Sequence, residues 1–230
     1  MRWLILQKLE ENLQLIDRNI SNIAILGGSS QDPEVEILKQ KFPESKITYL
    51  GIENPRNDNP WIFLDLNEPR YIETEFDLIV CAQVLEHVWN LEVAFKHIQK
   101  ISYIGGFIWI NCPASNIAHG SPNFFSAGYS PAYLEKNFEN LGFGTISLGC
   151  LGSMRSYWAT HLLRLWPTKK EFNHPLLGYR ISGQITIGKI VEMLRRAPGR
   201  ILMLMWDKKI NATIDYATET YYFGKRLTIK

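Results

Sequence analysis

At 230 residues with 46% hydrophobic content, the chain is long enough for one α/β domain with an insertion, or for a domain plus a small cap. Cys81, Cys112 and Cys150 are odd in number, widely spaced and without metal-ligand spacing, which argues against a disulfide framework or a zinc site and for buried thiols in a reducing compartment. The net charge of +2 is uneven: residues 152–209 carry eleven Lys or Arg against three acids, an excess of +8 that leaves −6 on the rest.

Taken in order, residues 3–19 predict a helix, with Leu6, Leu9, Leu13 and Ile16 on one side. Its opening apolar run is broken after four residues, too early for a signal peptide. Ile23–Leu26 predicts a short buried strand running into Gly27-Gly28-Ser29-Ser30-Gln31, and Asp32 and Pro33 are suited to start the next helix, with Val35, Leu38 and Phe42 inward. Ile47–Ile52 predicts a second strand ending at Glu53, and Trp61–Leu64 a third ending at Asp65. Leu78–Ala82 predicts a fourth, opening into a polar turn with Gln83, Glu86 and His87; a helix bearing Leu91, Ala94, Phe95 and Ile98 follows. A fifth strand is expected over Phe107–Asn111 after Gly105-Gly106, a helix over 131–140, and a strand over Thr145–Leu148. Helices are expected again at 156–166 and 186–196, and a last strand over Thr220–Ile229.

Alternating strands and helices, with strands apolar along their whole length, imply a mostly parallel sheet buried on both faces. The expected architecture is a Rossmann-like, seven-stranded α/β fold. Residues 1–151 form its core, 152–216 a basic, aromatic-rich helical insertion that caps the carboxyl ends of the strands, and 217–230 its last strand.

The polar residues cluster where such a sheet binds ligands, beyond the carboxyl ends of its strands. Gly27-Gly28 lets a ligand approach the backbone, or simply makes a tight turn. Glu53 has the position to accept hydrogen bonds from both hydroxyls of a ribose, or is a solvated loop carboxylate. Asp65 is placed to take an exocyclic amine of adenine beside the Leu66 backbone, or to cap a turn. His87 is a candidate base for a hydroxyl acceptor, or it orients Glu86 or caps the next helix; His119 is a second candidate, and His97, inside a helix, reads as structural.

Phe76-Asp-Leu-Ile-Val80 followed by Leu85-Glu-His-Val88, with the glycine pair, the two acids and Gly105-Gly106 in series, resembles class I S-adenosylmethionine (SAM) methyltransferases over residues 20–150. The small-molecule members bearing a Leu-Glu-His motif are the most similar, and His119-Gly-Ser-Pro-Asn-Phe-Phe125 with Tyr129-Ser-Pro131 resembles their segment after the fifth strand. The resemblance implies SAM as cofactor and S-adenosylhomocysteine as product. Gly27, Gly28 and Gln83 would hold the methionine end, Glu53 the ribose, and Asp65 and Leu66 the adenine, with Ser29 also binding the cofactor and no metal. Two departures stand out. Ile25 occupies the position of the family's usual acid, and Ser29, Ser30 and Gln31 replace further glycines. The cofactor ammonium would then rely on Asp32 or a backbone carbonyl.

No run reads as a signal peptide or is long enough to span a bilayer, so a cytoplasmic protein is expected, and the resemblance implies an enzyme that methylates a small-molecule or glycan-type acceptor. The basic segment is either a solvated cap, a site for an anionic or lipid-linked acceptor, or a peripheral membrane contact within 152–209. Low total charge and the absence of a recognised module speak against nucleic acid. The alternatives are a methyltransferase-like binding protein without efficient catalysis, which Ile25 favours, and an NAD-binding protein, which the lack of G-x-G-x-x-G disfavours.

Overall fold

Alternation along the strands splits the interior into two layers. In the computed structural model, which describes residues 2–54, 56–115, 122–152, 180–181, 185–186 and 217–227, one apolar face of the sheet holds Ala24, Leu26, Ile79, Cys81, Ile108, Ile110 and Tyr222. Their immediate neighbours Ile23, Ile25, Leu78, Val80, Phe107, Trp109 and Phe223 face the other side. Such two-sided burial follows from the period of two along a strand whose residues are all apolar.

The strands are β1 (Asn22–Leu26), β2 (Lys46–Gly51), β3 (Trp61–Phe63), β4 (Phe76–Ala82), β5 (Ser102–Pro113), β6 (Phe143–Leu151) and, after two two-residue strands β7 (Arg180–Ile181) and β8 (Ile185–Thr186), β9 (Glu219–Arg226). Seven form one sheet in the order β3-β2-β1-β4-β5-β9-β6, while β7 and β8 pair with each other. The pairs among β1 to β5 are parallel, and β9 runs antiparallel between β5 and β6. Helices α1 (Arg2–Leu13) and α2 (Pro33–Lys41) cover one face through Leu4, Ile5, Leu9, Leu13, Val35 and Leu38. Helices α3 (Leu91–Ile101) and α4 (Pro131–Asn140) cover the other through Ala94, Phe95, Ile98, Leu134 and Phe138. The three cysteines are free and buried. His97 is buried too, its Nε2 2.6 Å from the Glu68 carbonyl.

The expected fold is the observed one, with corrections at element ends. Helix α1 stops at Leu13 rather than at residue 19, because a turn there lets both Ile16 and Ile20 reach the core while Arg18 pairs with Asp77 at 3.0 Å. Its buried stripe runs through Ile5, Leu9 and Leu13, and Leu6 lies off it, half-buried. Strand β5 begins at Ser102, so Gly105-Gly106 lies inside it; a Cβ on Gly106 would come within 2.7 Å of the Tyr103 carbonyl oxygen. Thr186, expected to open a helix, is the second residue of β8. The helix expected at 156–166, most of that at 186–196, and the bulk of the 152–216 insertion lie outside the described residues.

Candidate functional site

The chain runs outward from β1 to β2 and β3, then returns to place β4 and β5 on the other side of β1. That reversal opens a crevice beyond the carboxyl ends of β1 and β4, where open α/β sheets bind ligands. Two clefts occupy it, of about 370 and 610 Å³, and both are lined by Leu26 and Gly27.

Gly27 continues the ladder, donating its N–H to the Leu50 carbonyl at 2.7 Å, and then turns at φ 65°. A Cβ there would lie 2.7 Å from Val84 Cγ2, so only glycine keeps this turn tight against β4. Asp32 stands at the N-cap of α2 with Pro33 behind it, but its side chain does not cap the helix. Its Oδ2 instead accepts from the Ser29 amide at 2.7 Å and closes the turn. Ser29 directs both its N–H and its hydroxyl to Asp32, and it lines neither cleft.

At the wider cleft, Asp65 Oδ1 accepts from the Asn67 amide and side chain at 2.8 and 3.1 Å, so the turn-capping role of Asp65 is real. Asp65 and Leu66 nonetheless line the cleft. Asn67 in turn accepts from the Trp89 and Asn90 amides, tying this wall to the start of α3. Strand β2 stops at Gly51 rather than at Ile52, and Glu53 beyond it is exposed and lines neither cleft.

Gln83 joins the β4 wall to the far side of the site. It holds φ at 57°, a region uncommon for a side-chain-bearing residue, and such strain of order 1–3 kcal/mol persists only where surroundings enforce it. Its N–H donates to the Asn111 carbonyl at 2.8 Å, and its Nε2 to Asn111 Oδ1 and Glu219 Oε2 at 2.7 and 2.8 Å. Burial pushes the Glu219 carboxyl up to about 8; the Gln83 hydrogen bond works against this, and nearby Glu86 adds to it.

His87 ends a single 3-10 turn, Leu85–His87, and opens on the wider cleft. Its Nδ1 meets the Asn123 carbonyl at 2.5 Å, and its ring packs edge-on to Phe124. A carbonyl can only accept, so the proton sits on Nδ1 and Nε2 is the basic atom of the neutral ring. His87 does not orient Glu86 by a hydrogen bond, since Nε2 is 4.0 Å from Oε1. Glu86 is fully buried, with no hydrogen-bond partner for either carboxyl oxygen among the described residues, and burial raises its pKa more than His87 lowers it. A His87→Ala variant is expected to leave cofactor affinity nearly unchanged and to slow turnover roughly tenfold to a hundredfold. Single-turnover rates beside a binding titration would check this, and full turnover would make the residue structural.

The site therefore gathers Gly27, Gly28, Gln83, Asp65, Leu66 and His87, while Ser29 and Glu53 stand outside the clefts and His119 lies outside the described residues. Sequence reasoning missed Glu219 and Asn111. The available signal was a polar residue at each end of an apolar run, Phe107–Ile110 and Thr220–Phe223, at the sheet edge where the clefts lie.

No family model matches the sequence, and no curated protein matches it. Solved structures do share its fold. A SAM-dependent methyltransferase from Archaeoglobus fulgidus has a TM-score of 0.54 at 13% identity, over 98% of this chain and 94% of its own. Coclaurine N-methyltransferase, bound to N-methylheliamine and S-adenosylhomocysteine, gives 0.54 at 13% over 96% and 71%. The [4+2]-cyclase SpnF gives 0.56 at 12% over 97% and 80%. In fold the chain resembles the class I SAM-dependent methyltransferases.

Proposed function

We propose that the protein is a SAM-dependent methyltransferase acting on a small-molecule or glycan-type acceptor. The observation that carries this reading is the pair of clefts meeting at Leu26 and Gly27, which suits an elongated ligand with a nucleoside end and an amino-acid end. The residues fit such a ligand: the Gly27-Gly28 turn lines the narrower cleft with bare backbone, and Asp65 has one carboxyl oxygen beyond its turn bonds. When bound, SAM supplies a methyl group on a sulfonium, so transfer needs positioning and water exclusion more than a strong base. The chain's part is then to seat the adenosine between the β2 and β3 ends, fix the amino-acid end beside Gly27-Gly28, and hold an acceptor near His87. Its Nε2 is placed to take the acceptor proton.

The +8 excess within 152–209 supports an anionic acceptor, phosphorylated or lipid-linked, whose attraction would weaken with salt. A second reading, a methyltransferase-like binding protein, is favoured by Ile25, whose apolar side chain lies under Gly28 in the narrower cleft. Calorimetric titration with S-adenosylhomocysteine, SAM and NAD tests both readings together with a turnover assay. S-adenosylhomocysteine binding with transfer supports the enzyme, binding without transfer to any acceptor supports the second reading, and preferential NAD binding removes both.

Glu53 is exposed and follows the end of β2 at Gly51, where a ribose would cover it. Glu53→Ala is expected to cost about 2–3 kcal/mol of S-adenosylhomocysteine affinity, the worth of paired charge-assisted hydrogen bonds. Unchanged affinity would place the ribose elsewhere.

A further inference from the structure

The narrower cleft is closed by a carboxyl from the far end of the chain. Glu219 is the first residue of β9, and because β9 runs antiparallel to β5, this residue lies opposite Pro113 at the carboxyl end of that strand. It is only 7% exposed, yet it lines the cleft together with Gly27, Gly28, Asp32 and Gln83. The remaining lining is apolar, from Ile5, Ile25, Leu26, Val80 and Ala82, except for a third acid, the buried Glu34, and no Lys, Arg or His lines the cleft among the described residues.

The polar groups here are committed unequally. Asp32 spends Oδ2 on the Ser29 amide and hydroxyl. Both bonds recorded for Gln83 Nε2 use its two hydrogens, one on Asn111 Oδ1 and one on Glu219 Oε2. A carboxylate offers about four acceptor sites, so the bond from Gln83 fixes the orientation of Glu219 without exhausting it. A cleft that carries three acids and, among the described residues, no lining base favours a cation with hydrogens to donate, because such a group offsets the cost of an ionised buried carboxyl.

We propose that Glu219 anchors the α-ammonium of the cofactor's amino-acid end, with the Gln83 amide holding the carboxyl in place. The inference rests on the methyltransferase reading above, since that reading supplies a ligand whose adenosine occupies the β2–β3 side of the wider cleft and whose ammonium enters the narrower one. It gives the apolar Ile25 wall a partner across the cleft, and it assigns Gln83 a positioning role through Glu219.

The test is calorimetric titration of the full chain and of Glu219→Gln with S-adenosylhomocysteine and with 5′-methylthioadenosine, which keeps the adenosine and thioether but lacks the amino-acid end. Glutamine keeps the shape and removes the charge. Glu219→Gln should weaken S-adenosylhomocysteine tenfold to a hundredfold and change methylthioadenosine less than twofold. A second measurement needs no variant: on the unaltered chain, the analogue of S-adenosylhomocysteine with hydrogen in place of its amino group should bind at least tenfold more weakly. Retained S-adenosylhomocysteine affinity in folded Glu219→Gln, or equal loss of both ligands, overturns the anchor while leaving the methyltransferase reading intact. So does undiminished binding of the deaminated analogue. If the unaltered chain binds none of these ligands, the methyltransferase reading falls and the anchor falls with it.

Discussion

Gly27→Ala is expected to lower the unfolding free energy by about 2–4 kcal/mol and to weaken S-adenosylhomocysteine at least tenfold. Two costs add. A left-handed backbone costs an alanine roughly 1–2 kcal/mol, and forcing a methyl into packed space costs about 1–3 kcal/mol. Both apply, since Gly27 has φ 65° and its Cβ would lie 2.7 Å from Val84 Cγ2. Val84 also lines the wider cleft, so whatever movement relieves the clash disturbs the ligand wall. Urea denaturation of Gly27→Ala, Val84→Ala and the double variant separates the two costs. The double variant should recover the steric part and keep the backbone part, giving a favourable coupling between the sites. Additive losses, or an alanine variant as stable as the parent, would mean that this turn does not press on β4.

The second large effect is on stability as a function of pH. The Glu219 carboxyl moves from an ordinary value of 4.5 to about 8 on folding, mainly through burial. Between those values the native chain holds a proton that the unfolded chain has lost, so stability falls as pH rises through this window. Below about pH 4.5 the penalty from this group is absent, and above about pH 8 it is complete. At about 1.4 kcal/mol per unit, reduced for relaxation around the charge, it amounts to roughly 3 kcal/mol. Glu86 is raised by burial too and adds a loss of the same sign, so the parent slope contains both groups. Glu219→Gln removes only one. Its stability relative to the parent should therefore improve by roughly 3 kcal/mol between pH 5 and pH 8, measured by urea unfolding at each pH. A constant difference across that range would show that Glu219 is already ionised in the fold at pH 5.

What was legible in the sequence tracks how local each determinant is. Strands β1 and β4 are short apolar runs closed by Gly27 and Gln83, and α3 carries a clean stripe from Leu91 to Ile98, so neighbouring residues alone specify them. Gly105-Gly106 misleads because a glycine pair suggests a break. In the sheet, Gly106 is instead where three carbonyl oxygens, of Phe76, Asp77 and Tyr103, crowd within 3.1 Å of any Cβ, beside the register shift between β4 and β5. The same distinction divides the site. Gly27, Gly28 and Gln83 sit directly after their strands and declare themselves there. Glu219 acquires meaning only through Gln83, 136 residues away, and no local pattern reports that encounter.

The placement of β9 also sets the order in which this protein becomes competent. Strand β9 lies between β5 and β6, so β6 has no place in the sheet until a later segment of the chain has slotted in beside β5. During synthesis, at about 5–20 residues per second, the five parallel strands and their helices can assemble first, leaving Phe107 and Trp109 beside an unpaired strand edge. Distant pairings of this kind form late because loop closure must precede any gain from contact. A nascent chain would thus possess the glycine turn and the wider cleft before it possesses Glu219, so the two ends of the proposed cofactor site would be completed in that order.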